Sequence, residues 1–505
     1  MDGATGQPSY SDLLAIVAQL QVELAELRAE NQQLKQRNAE LQERIAELEK
    51  KNPTQRLGTS YSMKADEKRR RELDAKQSGK PKTHGSGKDQ QASERRGRVP
   101  NQDKMDRAEY HELVLPDGFE LHQCHPHIDR PVWRIRDGKA TLVVYEIWRG
   151  PNGEEGQING ALPLSEFGFE IHVAVAFIVS MVGLSMDKVC GLLKFFWKLE
   201  LSKSQADSLL SQLSRQWEHE FESLCQLLAV SAVVHADETS WSLNFVWAFL
   251  SEKARVLVFG CRKDGDTLAQ VLSKDRFAGI LASDDAAVYQ GFTKAQKCWS
   301  HLIRKAVRFT LLQPENEEYR TFLEGLLAVF RKAKRAAADQ RLKEAGRVAR
   351  VAELFDDVCE LCFARCGDES CQPKPNDETD RDYHNLVHEV ARLSCDDELF
   401  TFVRHPEVDA TNNEAERSLR GAAQDRRTGR TSKTLRGAHR RTILVSVLES
   451  LKLHLAEFTL ETVLTEVQSW WDHGESLFDR LLTECGLDPP THSTLNKLVP
   501  LPKPA

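Results

Sequence analysis

Leucine recurs every seven residues near the start of the chain, at Leu13, Leu20, Leu27, Leu34, Leu41 and Leu48. Val17, Leu24, Asn31, Asn38 and Ile45 stand four positions after the first five. Apolar residues at a and d with leucine at d predict a coiled coil over 1–51, and two Asn at a favour a two-stranded parallel register at some cost in stability. Glu23 with Arg28 and Glu30 with Lys35 supply complementary pairs between the two helices. A lone surface helix would expose the whole stripe to water. The expectation is therefore a homodimer through residues 13–48.

The pattern then changes four times. A polar stretch, 52–105, reads as a flexible linker, either lying along phosphates or serving as a solvated spacer. Residues 106–165 read as a small β-containing unit, with a strand over Ala140–Trp148 between Asp137-Gly138 and Gly150-Pro151. Helical periodicity runs over 166–228, where turns at Leu184–Met186 and Leu201–Ser204 precede new helices. Short helices joined this way suit a helix-turn-helix DNA reader and equally an ordinary helical bundle. Residues 229–455 open with strands over Ala232–Thr239, Phe245–Leu250 and Arg255–Cys261, a helix over Thr267–Leu272 and a strand over Gly279–Asp284. That order is the order of an RNase H-like α/β core, here interrupted by a helical insertion over about 306–400. A C-terminal helical segment and tail, 456–505, completes a multidomain α+β chain.

Composition narrows the classes. Over 505 residues, 40% hydrophobic and 29% charged residues describe a soluble chain. The longest apolar stretch, Val173–Leu184, is too short to span a bilayer, and the N-terminus does not resemble a signal peptide. A cytoplasmic protein is expected. Eleven cysteines are too sparse and odd in number for a disulfide scaffold. The net charge of −7 argues against nucleic acid until its distribution is considered. Lys51–Pro100 holds 14 Lys plus Arg against 6 acids, and Arg417–Arg441 nine against one, Asp425. A solvated helix normally alternates signs. The second stretch, with Arg417, Arg420, Arg426, Arg427, Arg430, Lys433, Arg440 and Arg441, is therefore expected to bind DNA phosphates.

The candidate chemistry lies between these basic stretches. Asp237 and Asp284 each end an apolar strand, where side chains from neighbouring strands converge. In Thr411-Asn-Asn-Glu-Ala-Glu-Arg-Ser-Leu-Arg420, Thr411 or Asn412 can cap a helix that carries Glu416 one turn in. Three converging carboxylates repel one another unless cations are present, and hard oxygen donors suit Mg²⁺ or Mn²⁺. Two such ions about 3.5–4 Å apart activate a nucleophile and stabilise the leaving oxygen at phosphorus. Glu238 reads as structural; Asp285 and Glu414 remain lesser candidates.

Four motifs together carry a resemblance: His235-Ala-Asp-Glu-Thr, Ser283-Asp-Asp-Ala-Ala-Val-Tyr289, Gln296-Lys-Cys-Trp-Ser-His-Leu-Ile-Arg304-Lys305 and the Thr411–Arg420 segment. The chain resembles the DDE transposases of bacterial insertion sequences, most closely the family numbered sixty-six, over roughly Leu162–Leu455. The resemblance implies Asp237, Asp284 and Glu416 as catalytic and metal-binding residues, with Asp285 standing where a glycine is usual. It implies cleavage at the ends of a mobile element and strand transfer into target DNA, in the cytoplasm at the nucleoid, with room for accessory proteins of the same element. His301 and Arg304, three apart on one helical face, and Lys305 are expected near the scissile phosphate, the alternative being a core helix with a satisfied histidine.

The chain departs from the family's N-terminal zinc unit. Only Cys124 lies there, near His122, His125 and His127, a poor tetrahedral set. Cys359, Cys362 and Cys366, with Cys371, His384 and His388 beyond, are better spaced but read as buried small hydrophobes on an amphipathic helix. Structural zinc is not expected. A metal-dependent nuclease or resolvase with the same carboxylates, and a catalytically inert zipper DNA-binding protein, are the rival readings.

Overall fold

The computed structural model describes residues 105–490, apart from 107, 275–276 and 367–376, and before them Gln36 alone. The leucine heptad over 13–48, the basic linker to residue 104 and Cys371 lie outside the described residues. The chain divides into two units, Met1–Gly97 and Arg98–Ala505, and the elements below belong to the second.

β1 (Tyr110–Val114), β2 (His125–Arg136) and β3 (Lys139–Arg149) form a small mixed sheet ordered β1-β3-β2. β3 is the expected strand extended by one residue at each end. Asp137 and Gly138 join β2 to β3 with φ of 51° and 73°. A two-residue hairpin turn matching the sheet's twist needs positive φ at both positions, which Asp-Gly tolerates.

Four helices follow: α1 (Phe169–Ser180), α2 (Met186–Trp197), α3 (Lys203–Gln216) and α4 (Glu218–Ala229). Ser202 caps α3, its hydroxyl accepting from the Gln205 N–H at 3.2 Å while the Gln205 side chain accepts from the Ser202 N–H at 2.9 Å. Ser185 stands at the start of α2 but makes no such side-chain bond.

The second sheet contains β4 (Val233–Ser240), β5 (Phe245–Leu250), β6 (Arg255–Cys261), β7 (Ile280–Ser283) and β8 (Ala295–Lys297), with α5 (Gly265–Val271) between β6 and β7. Its order is β6-β5-β4-β7-β8; β4, β5 and β6 pair antiparallel, while β7 and β8 continue parallel to β4. β8 lies just before the expected helical insertion, where the sequence predicts no strand. Three residues are too few to show an alternating pattern, so its parallel partner β7 defines it.

Helices α6 (Trp299–Leu312), α7 (Glu317–Ala338), α8 (Glu344–Cys366), α9 (Glu378–Cys395) and the short α10 (Thr401–Arg404) lie between β8 and α11 (Asn413–Arg427). They pack around their own core, which includes Trp299, Phe309, Tyr319, Phe322 and Tyr383. α12 (Leu435–His454), α13 (Leu460–His473) and α14 (Leu477–Glu484) end the described chain.

α12 closes the edge of the second sheet. The N–H groups of Arg255, Leu257 and Phe259 on β6 donate to the hydroxyls of Ser450, Ser446 and Thr442 at 3.0, 3.0 and 2.9 Å. Four helical residues rise about 6 Å, close to the roughly 6.8 Å covered by two antiparallel strand residues. Hydroxyls spaced four apart on α12 therefore meet every second donor of β6. An edge that would otherwise template strand pairing is satisfied inside the fold. Among the described residues, no helix is long and apolar enough to cross a membrane.

Candidate active site

The parallel register places His235 of β4 opposite Ala282 of β7. Two residues further on come Asp237, within β4, and Asp284, one residue past the end of β7. Both aspartates make local bonds: Asp237 Oδ1 accepts from the Glu238 N–H at 2.9 Å, and Asp284 Oδ1 from the Ala286 N–H at 3.0 Å.

Glu416 approaches from α11, which packs across β4 and β5. Its position depends on Asn412, which is buried at the start of that helix. The sequence suggests Asn412 as a cap, but its side chain makes no cap bond. It crosses instead to the sheet, Nδ2 donating to the Ala236 carbonyl at 2.7 Å and Oδ1 lying 3.2 Å from His235 Nδ1. Its backbone N–H donates to Cys298 Sγ at 3.1 Å. One amide thus fixes the start of α11 to the residue before Asp237, and four residues later the helix delivers Glu416.

Asp237 feels the charges around it. Asp237 is pushed up to about 7, first by burial, then by the neighbouring charges of Glu238, Asp284 and Glu416, against the opposing bond from the Glu238 N–H. A buried acid beside like charges favours its protonated form or a bound cation. Glu416 Oε1 accepts from Arg304 Nη2 at 2.5 Å and lies 3.7 Å from His301 Nε2. Burial, followed by Arg304, pushes His301 down, and its Nδ1 is buried without a hydrogen-bond partner. Donor atoms of Cys298, His301 and Glu416 lie within 4.8 Å of one another. Among the described residues no other three metal-binding side chains come that close, and the aspartates are tied to Glu416 through the charges acting on Asp237.

The other acids are committed elsewhere. Glu238 accepts from the Tyr289 hydroxyl and Lys263 Nζ. Glu414 accepts from Arg255 Nη2 at 2.5 Å, and Asp285 pairs with Arg392. Glu414 and Glu416 on α11 are thus each paired with an arginine, and Glu416 is the one whose charge acts on Asp237.

The Transposase IS66 family matches residues 168–440, more than half of the chain. The chain belongs to the IS66 transposase family. That match contains all three carboxylates and the helices α6–α10 between β8 and α11. No curated protein matches the chain. Membership brings transposition and DNA cutting as the family's activity.

The basic positions divide. Arg417, Arg420, Arg426, Arg427, Arg430 and Lys433 are exposed along α11 and the turn after it. Arg426 also donates to the Ser240 carbonyl and Arg430 to the Gly183 carbonyl, at 2.8 and 2.7 Å. Arg440 is turned to α3, pairing with Asp207 at 2.8 Å and donating to Ser211 Oγ at 2.9 Å. Arg441 pairs with Asp425 and lies over the rings of Trp241 and Phe259. Lys305 pairs with Glu389 at 2.6 Å.

Sequence reasoning gave no role to Cys298 as an acceptor or to Lys297, whose side chain is buried 3.4 Å from Ser283 Oγ. The Asn-Asn pair was the available signal for the Asn412 bridge. Its partners lie some 176 positions away in sequence, so local spacing cannot reveal them.

Proposed function

We propose that this chain is a metal-dependent DDE transposase that cuts DNA at the ends of its own element and joins the freed 3′ ends to a target. The observation carrying this reading is the half-buried Asp237, raised to about 7 with Asp284 and Glu416 among the charges acting on it, within the family-matched region. The order β6-β5-β4-β7-β8, with an acid on the first strand and another just past the fourth, supports an RNase H-like core.

The donor set suits a hard divalent cation: three carboxylates, one of them raised by burial and by the charges of its acidic neighbours. Asp237, Asp284 and Glu416 would hold Mg²⁺ or Mn²⁺, whose chemistry is to activate a water or 3′-hydroxyl and stabilise the oxygen leaving phosphorus. The protein's own part is placement. Asn412 sets the distance between helix and strand, and the Glu238 link to Tyr289 and Lys263 steadies β4. Arg304, held by Glu416, lies ready to donate to a phosphate oxygen with His301 beside it. The exposed residues Arg417, Arg420, Arg426, Arg427, Arg430 and Lys433 form the DNA-binding face in this reading. Arg440, Arg441 and Lys305 serve the fold. A dimer through 13–48 would hold two element ends together.

The test is incubation of full-length protein and Mg²⁺ with labelled element ends and a target plasmid. Cleaved strands together with joined products are expected. Cleavage without joining would replace the transposase reading with the nuclease one; DNA binding without Mg²⁺-dependent cleavage would leave only a binding protein.

A further inference from the structure

The helical insertion carries a second cluster, separate from the three carboxylates. Cys362 and Cys366 are four apart on α8, and His384 and His388 four apart on α9. Each pair therefore shares one helical face. α8 and α9 pack against each other, which brings Cys366 to His388, while Cys362 meets the Val387 carbonyl. Cys366 Sγ lies 3.8 Å from His388 Nδ1. The rings of His384 and His388 lie 4.3 Å apart, centroid to centroid.

The expectation that these thiols are buried hydrophobes fails for two of the three. Only Cys362 is buried, its Sγ 3.7 Å from the Val387 carbonyl; Cys359 and Cys366 are exposed. A thiol and an imidazole turned toward each other at a helix surface contribute little to a core. His384 Nδ1 adds an independent observation, because it is buried and has no hydrogen-bond partner. Such an atom is costly unless a donor or an ion satisfies it.

We propose that Cys366, His384 and His388, with Cys362 as the nearest further thiol, form a binding site for a thiophilic divalent cation such as Zn²⁺. Sulfur and nitrogen bound tetrahedrally to one zinc, at about 2.3 and 2.0 Å, lie about 3.6 Å apart. The observed separation of Cys366 Sγ and His388 Nδ1 needs only a small adjustment to reach that value. The sequence spacing, Cys-x₃-Cys followed by His-x₃-His, falls within the range of structural zinc sites. Binding releases the Cys366 thiol proton and gives the orphaned His384 nitrogen a partner. The ion would clip α8 to α9, the helix whose Arg392 pairs with Asp285 beside Asp284.

The test is a Co²⁺ titration of reduced full-length protein, followed by competition with Zn²⁺. One equivalent should produce a thiolate-to-cobalt charge-transfer band that Zn²⁺ abolishes. Cys366→Ser should remove that band, while His384→Gln and His388→Gln should each weaken binding by more than about a hundredfold. Circular dichroism should show an unchanged fold, since the Cys366 side chain is exposed. Glu416→Gln should leave the titration as it was. Absence of the band, its persistence in Cys366→Ser, or its loss in Glu416→Gln would each overturn the proposal, the last by moving the ion to Cys298, His301 and Glu416.

Discussion

Two regions of this protein take an aspartate partly or wholly out of water, and they treat it in opposite ways. At the seam of α4 and α14, Asp479 accepts from Ser223 Oγ at 2.7 Å and from the Ser476 N–H at 3.2 Å, with His219 Nε2 at 3.0 Å. Burial pulls that carboxyl upward, but Ser223, His219 and Ser476 outweigh it and hold Asp479 below its usual range. At the strand edge, Asp237 has one backbone donor and three acidic neighbours, and rises to about 7. Burial is common to both, so it does not distinguish them. The distinction is whether neighbouring groups satisfy the charge, and at Asp237 they leave that to a proton or a cation. Glu220 sets a boundary. It too is pushed up to about 7, first by burial, but the acid acting on it is Asp479, which is itself bonded to Ser223 and Ser476. A raised acid indicates a metal site only where other acids share the same space.

The sharpest break between the two aspartates should come from removing each charge. Asp237→Asn should lower strand cleavage by about a thousandfold or more, because the charge that holds and orients the cation is lost. Asp479→Asn should leave cleavage per folded molecule unchanged but cost about 2–4 kcal/mol in urea denaturation, since it strands His219 and Ser223. Equal losses of activity in both variants would erase the contrast.

Acidity should sharpen it. A proton must leave Asp237 before a cation binds there, so the apparent Mn²⁺ affinity should weaken by about tenfold per pH unit below about 7. The stability sign is opposite to that of an ordinary ion-paired carboxylate. The folded-state value lies above the unfolded one, so the stabilising contribution is complete at low pH and is lost as pH rises through about 7. In cation-free buffer, Asp237→Asn should therefore gain on the parent protein between pH 5 and pH 8, as read from thermal melts. Glu220→Gln should show the same drift, about 2 kcal/mol, with no effect on Mn²⁺ binding. A change in Mn²⁺ affinity there would blur the boundary that Glu220 sets.

The smallest effect concerns the basic face. Replacing Arg427 and Lys433 with Ala should flatten the salt dependence of duplex binding by about 0.9 log-log units for each phosphate no longer neutralised. Arg441→Ala should instead lower stability, because its pair is Asp425 inside the fold.

Much of the site was legible in the sequence because its acids sit at ends that strand and helix patterns reveal. Asp237 and Asp284 follow apolar runs, and the family resemblance pointed to Glu416 while Glu414 remained a lesser candidate. The rest depended on partners remote in the chain. β8 is too short to have a period of its own. Asn412 looks like a helix cap until Ala236 stands next to it. Arg440 and Arg441 have the composition of a DNA face, and only Asp207 and Asp425 show that they point inward. The exposure of Cys366 likewise follows from how α8 meets α9 and not from helical periodicity.

The central claim is that Asp237, Asp284 and Glu416 work as one unit, and Mg²⁺-dependent cleavage of a labelled element end tests it most directly. The rates to compare are those of Asp237→Asn, Asp284→Asn and Glu416→Gln, singly and in pairs, beside Glu414→Gln. Each single variant should lose nearly all activity, each pair should be little worse than a single, and Glu414→Gln should cut near the parental rate. Cleavage retained in all three single variants, or losses that multiply from one variant to the next, would contradict it.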